Sequence, residues 1–126
     1  MESSFYRCSR CNNIVGLVNK GGGQLVCCNE AMELLVPGSV EAAVEKHIPE
    51  ISVDGNSVCI AVGSVLHPML VEHSIKWVYL KTENGGHRMG LKPGQEPKVE
   101  FCVPDGDKPL AAFAYCDLHG LWAAKI

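Results

Sequence analysis

Nine residues of this chain have the types and spacing of metal ligands. Cys8 and Cys11 form a Cys-x-x-Cys pair in "CSRC", and Cys27 and Cys28 stand side by side in "LVCC". Far from these, His47, His67, His73 and His119 accompany Cys116, with Cys116 and His119 three positions apart in "YCDLHGLW". Four converging thiolates hold zinc or iron. Singly, His67 before a proline is an ordinary loop residue and Cys116 an ordinary buried thiol; together, four imidazoles and a thiolate make a second metal site. Five ligands exceed what a tetrahedral structural zinc uses. Four nitrogens in a plane with sulfur on the axis suit iron, and they leave a sixth position open for an oxygen species. In "CDLH" the backbone N–H groups of Leu118 and His119 are placed to point at the Cys116 sulfur and tune its donation.

The thiolate set has one irregularity. A Cys-x-x-Cys knuckle brings two thiolates to one ion from a tight turn, "NKGGGQ" reads as the turn of a hairpin, and "LVCC" returns the second pair. Neighbouring side chains on extended backbone point to opposite faces, so Cys27 and Cys28 reach one ion only if the backbone bends. A distorted tetrahedron is expected, which alters an iron centre and gives a structural zinc no benefit. A unit this short is below the size that a hydrophobic core alone holds together, so the metal doubles as its staple.

The elements that must position these residues follow from composition and punctuation. The chain has 126 residues, 47 % hydrophobic and 20 % charged, which is one ordinary domain or one domain with a very small partner. No apolar run approaches the ~20 residues of a membrane span. The N-terminal "MESSFYRCSRC" shows no secretory pattern, so a cytoplasmic setting is expected, where seven cysteines point to metal or redox chemistry rather than disulfides. A net charge of −3 argues against nucleic acid. Pro37-Gly38 marks a boundary, giving units at residues 1–37 and 38–126. "SVEAAVEKH" reads as one or two helical turns with Ser39 as N-cap and Glu41 in the first turn, ended by Pro49, or equally as a loop. Beyond it, "EISVDGNSVCIAVG" reads as a hairpin turning at Asp54-Gly55, and "IKWVYLKT", "PKVEFCVP", "LAAFAYC" and "LWAAKI" read as strands. About seven short strands suggest an all-β, immunoglobulin-like antiparallel sandwich. Cys59 and Cys102 read as core thiols, and His87, in "ENGGHRMG", as an exposed turn residue.

In order, "CSRC", "CC", "EKH", "HPM", "EHSIKW" and "CDLHGLW" resemble desulfoferrodoxin, the two-iron form of superoxide reductase, over essentially the whole chain. The resemblance implies a small rubredoxin-like (desulforedoxin-like) four-cysteine iron domain at 1–37 and a neelaredoxin-like superoxide reductase sandwich at 38–126. Cys8, Cys11, Cys27 and Cys28 match the ligands of the first iron. His47, His67, His73 and His119 match the equatorial ligands of the second, and Cys116 its axial thiolate. Glu45 matches the glutamate that can take the sixth position, and Lys46 the lysine whose cation lies near the open site. Superoxide as substrate, rubredoxin or a comparable small carrier as electron donor, and a homodimer are implied as well. Three other readings compete: a non-enzymatic iron electron-transfer protein, a zinc-ribbon binding module on a sandwich scaffold, and a dismutase, which needs no external donor.

Overall fold

Tight turns rather than long strands organise the first part of the chain. In the computed structural model, which describes residues 2–126, the chain divides into two units, one ending at Pro37 and one beginning at Gly38. In the first, β1 (Phe5–Arg7) lies between β2 (Ile14–Gly16) and β5 (Glu33–Leu34) in an antiparallel sheet, while β3 (Val26–Cys27) and β4 (Glu30–Ala31) form a separate two-stranded ladder. "NKGGGQ" is therefore not a hairpin turn, since it connects β2 and β3, which belong to different sheets. Three consecutive glycines give that connection freedom without specifying a turn type. The two actual hairpins turn at the cysteine pairs, one between β1 and β2 and the other between β3 and β4.

The second unit begins with a short helix, α1 (Val44–His47). It is followed by β6 (Pro49–Asp54), β7 (Ser57–Val62), β8 (Ile75–Thr82), β9 (Gly86–Gly90), β10 (Lys98–Cys102), β11 (Pro109–Cys116) and β12 (Gly120–Lys125). These seven strands make two antiparallel sheets, ordered β10-β7-β6 and β12-β11-β8-β9, the sandwich expected from the strand spacing. Alternation along the strands builds the core: Val58, Ile60 and Val62 of β7, with Val99 and Phe101 of β10, face Ile75, Val78, Leu80, Ala112, Ala114 and Cys116. Each large side chain buried in this way contributes roughly 1.5–3 kcal/mol relative to exposure.

The same alternation corrects the reading of two cysteines. Cys59 sits between inward-facing Val58 and Ile60, and Cys102 follows inward-facing Phe101, so both point outward and are exposed. Cys59 lies opposite Glu100, with its Sγ 3.8 Å from the carboxylate. His87 is half-buried on β9 rather than exposed in a turn, its ring centroid 6.0 Å from that of Phe101. The β6–β7 turn is Gly55-Asn56, one residue later than the sequence suggested, because Asp54 already pairs with Ser57. Gly55, at φ 58°, supplies the left-handed residue. The expected helix is a single turn capped by Ala43 with no side-chain hydrogen bond, so Ser39 is not its cap and Glu45, not Glu41, lies in its first turn. Pro49 holds Ile48 in extended conformation and ends it.

One glycine fixes that helix to the sandwich. A Cβ on Gly63 would lie 2.5 Å from the Glu45 carbonyl oxygen and 3.0 Å from that of Ile48, both backbone atoms. Ser64 Oγ and the Val65 N–H also donate to the Glu45 carbonyl, at 3.2 and 3.0 Å. Replacing Gly63 by alanine must displace the segment bearing His47, and we expect a loss of about 1–3 kcal/mol in thermal unfolding. An unchanged melting temperature would mean that the close approach is not rigid.

Candidate metal centres

The sulfur atoms of Cys8, Cys11, Cys27 and Cys28 all lie within 4.8 Å of one another. Cys11 and Cys27 are 3.6 Å apart, and Cys27 and Cys28 4.0 Å. A tetrahedron with metal–sulfur bonds of ~2.3 Å has edges of roughly 3.8 Å, so the spacing fits one ion. The adjacent pair achieves this through the β3–β4 turn, where Cys28 and Asn29 have φ of 51° and 61°. That is the signature of a type I′ turn. Asparagine tolerates the left-handed region, whereas for Cys28 it costs about 1–2 kcal/mol.

Local hydrogen bonds prepare this site for a cation. Backbone N–H groups of Cys11 and Arg10 donate to Cys8 Sγ and, with the neighbouring thiols, bring its pKa down to about 7. Hydrogen bonding to Cys11, Cys27 and Cys8 pushes Cys28 up to about 12, because four crowded thiols cannot all ionise without a positive partner. Asn13 Nδ2 donates to Cys27 Sγ at 3.7 Å. Glu30 accepts from Ser9 Oγ at 3.1 Å and from Arg10 Nε at 2.8 Å, tying the two cysteine turns together.

The second cluster gathers at one end of the sandwich, where β6 starts, β7 ends, β8 starts and β11 turns into β12. Helix α1 supplies His47, the β7–β8 connection His67 and His73, the end of β11 Cys116, and the following turn His119. Ligand atoms of His47, His67, His73 and Cys116 lie within 4.8 Å of one another. His119 joins through Nδ1, which is 3.2 Å from His47 Nε2 and 3.9 Å from Cys116 Sγ.

The four imidazoles form a ring. Centroids of successive rings are 4.6 Å apart for His47–His67 and for His67–His73, 5.1 Å for His73–His119 and 5.0 Å for His119–His47. The His47–His73 diagonal is 6.4 Å. His47 Nε2 lies 3.1 Å from His67 Nε2. Adjacent nitrogens bound to one metal at ~2.1 Å, at right angles, are roughly 3.0 Å apart, and both nitrogen separations at His47 match this.

Tautomers are set from outside the ring. His47 Nδ1 lies 2.6 Å from the Ala43 carbonyl oxygen, and His67 Nδ1 2.7 Å from that of Pro68. A carbonyl can only accept, so these Nδ1 atoms carry protons and each Nε2 presents a lone pair. Burial pushes His67 down to about 4 and lowers His47 as well, keeping both in the neutral, ligating form at neutral pH. His73 Nε2 is buried with no hydrogen-bond partner among the described residues. A metal would satisfy it, which makes this atom the sharpest test that the residues fit an ion.

Cys116 is fully buried, which pushes its thiol up, while the backbone N–H groups of His119 and Leu118 donate to its sulfur and work in the opposite direction. Those donors are the ones expected from the "CDLH" turn. Trp122 Nε1 donates to the His119 carbonyl oxygen at 3.0 Å and steadies the turn. The sequence reading did not single out Trp122, Gly63, or the carbonyls of Ala43 and Pro68. A backbone acceptor leaves no mark in residue type, although Trp122 closes the quoted motif.

Glu45 and Lys46 occupy the exposed face of α1, immediately before buried His47. Among the described residues neither forms an ion pair. Lys46 shares the single turn of α1 with His47 and directly precedes it in the chain.

Comparison with known proteins agrees with both centres. The family described as Desulfoferrodoxin matches residues 39–125, and Desulfoferrodoxin, N-terminal domain, matches residues 1–35. A desulfoferrodoxin homolog of Archaeoglobus fulgidus is 47 % identical over 117 residues, 93 % of this chain and 92 % of that protein. The crystal structure of the superoxide reductase from Treponema pallidum superposes with a TM-score of 0.82 at 38 % identity, covering 99 % of this chain and all of the other. A superoxide reductase (1Fe-SOR) from Giardia intestinalis covers 65 % of this chain and 97 % of its own, at 35 % identity and a TM-score of 0.56. The chain belongs to the desulfoferrodoxin family and has both of its iron centres, one of four thiolates and one of four imidazoles with a thiolate.

Proposed function

We propose that this chain reduces superoxide to hydrogen peroxide at the ring of His47, His67, His73 and His119 with Cys116, taking one electron and two protons per turnover, and that a small redox protein such as rubredoxin restores the electron. The observation that carries this reading is the ring itself: four imidazoles gathered around one point with the buried sulfur of Cys116 beside them. Iron held there would supply the single electron and bind the small anion. Superoxide reductases of similar sequence and structure support the same substrate.

Each remaining step falls to this chain's own side chains. Superoxide is an anion and the chain carries a net charge of −3, so capture needs a local cation. Lys46 is exposed, has no ion-pair partner among the described residues, and sits one residue from a ligand. Its ammonium attracts the substrate and orients it, or an ordered water, for protonation. Glu45, on the same exposed helical turn, is the residue whose carboxylate would cap the metal between turnovers. Cys116 would be the sulfur ligand of that iron and donate electron density to it, and the N–H groups of Leu118 and His119 at its sulfur would moderate that donation.

Residues 1–37 act as the desulforedoxin-like unit holding the four-thiolate iron, and residues 38–126 as the reductase domain. Two copies associate as a homodimer. Exposed Val15, Val18, Val26, Leu34 and Val36 leave the small unit with apolar surface that such association would bury. No helix among the described residues is long and apolar enough to cross a membrane, and thiolates committed to metal suit the reducing cytoplasm.

Two variants test the assignment in stopped-flow mixing with superoxide. Lys46→Ala keeps both irons but captures superoxide roughly tenfold more slowly and loses the salt dependence of the parent; unchanged capture would remove Lys46 from steering. Cys116→Ser keeps the four-thiolate iron and its visible absorption while reductase activity falls by about a hundredfold. Full activity in that variant would rule out the thiolate's role.

A further inference from the structure

Past Cys116 the pairing of β8 with β11 changes character. Its last rung joins Cys116 to Ile75, after a shift of register at Tyr115. Beyond it, the Asp117 N–H donates to the Ser74 carbonyl oxygen at 3.2 Å, and the Ser74 N–H donates in return to Asp117 Oδ1 at 3.0 Å. A side-chain carboxylate thus takes the place that a backbone carbonyl fills in a regular antiparallel ladder. Its other oxygen, Oδ2, lies 3.8 Å from the Lys76 ammonium. Ser74 is fully buried and directly follows His73, while Asp117 directly follows Cys116. One carboxylate therefore joins the segment carrying an imidazole of the ring to the strand carrying the thiolate.

We propose that Asp117 is a positioning residue of the His/Cys centre: it fixes His73 relative to Cys116, and its negative charge, balanced by Lys76, sets how strongly the bound iron favours its oxidised state. This rests on the superoxide reductase reading, in that it requires a redox-active iron in the ring. The carboxylate's charge stands one residue from the sulfur, in a side chain only 23 % exposed, where screening by water is incomplete. A fixed negative charge stabilises the more positive oxidation state and lowers the potential, and the neighbouring ammonium opposes it. Removing either charge should therefore move the potential in opposite directions.

The test is a redox titration of the full-length, iron-loaded chain, followed by the thiolate-to-iron absorption of the His/Cys centre. Asp117→Asn retains an acceptor for the Ser74 N–H but loses the charge, and its potential rises. Lys76→Met leaves the carboxylate unbalanced, and its potential falls. Asp117→Ala loses charge and acceptor together and releases its metal to a chelator about tenfold faster than the parent. An unchanged potential in Asp117→Asn, or a shift of the same sign in Asp117→Asn and Lys76→Met, overturns the proposal, and this pair decides it even if Asp117→Ala does not fold. A parent chain with no thiolate-to-iron absorption would overturn the superoxide reductase reading itself, and this inference with it.

Discussion

Four imidazole lone pairs and a thiol sulfur directed into one small volume are mutually unfavourable until a cation lies among them. Every other feature of the second unit serves to hold them there. The buried Nε2 of His73 has no hydrogen-bond partner among the described residues, and a buried polar atom left in that condition costs about 1–3 kcal/mol. The Ala43 and Pro68 carbonyls occupy the Nδ1 positions of His47 and His67, so neither ring can turn to satisfy its inner nitrogen elsewhere. A metal bound there would satisfy that nitrogen and so add to the stability of this end of the sandwich.

Rigidity of the ring comes from the sheets beneath it. Cys116 is the last inward-facing residue of β11, packed with Ala112 and Ala114 on the core side, so the thiolate is held by the hydrophobic interior rather than by a loop. The imidazoles reach it from three connections that differ in construction. His119 belongs to the turn that Gly120 closes at φ 77°. His67 is held by its N–H donating to the Val62 carbonyl oxygen at 2.8 Å. His47 depends on the contact of α1 with Gly63. In the first unit the division of labour is different: strands of two or three residues form the frame, and hydrogen bonds at the cysteine turns do most of the ordering.

Residue type and spacing made the ligands legible because both metals demand unusual side chains. The bend required by Cys27-Cys28 was legible for the same reason, since two adjacent thiolates cannot share an ion on extended backbone. What was not legible depended on pairing partners. The glycines of "NKGGGQ" look like a hairpin turn, yet the strand before them pairs with β1 and the strand after them with β4. β9 was hidden by its glycines, and Gly86 is small because the Tyr79 ring passes over it, its hydroxyl filling the place where a Cβ would stand. Cys59 and Cys102 could have been placed correctly by counting alternation from Val58 and Phe101, but their apolar character favoured the core. Asp117 stood in plain view in "CDLH", and its role emerged only when Ser74 was found across from it.

Both family membership and the ring's geometry lead to one chemical distinction, that between reducing superoxide with an outside electron and dismutating it. Counting products separates them most directly. When fully reduced protein is mixed with limiting superoxide, a reductase yields one hydrogen peroxide for each superoxide consumed and no dioxygen, and the protein is oxidised in step. One peroxide for every two superoxides, with dioxygen evolved and the protein left reduced, would contradict the account.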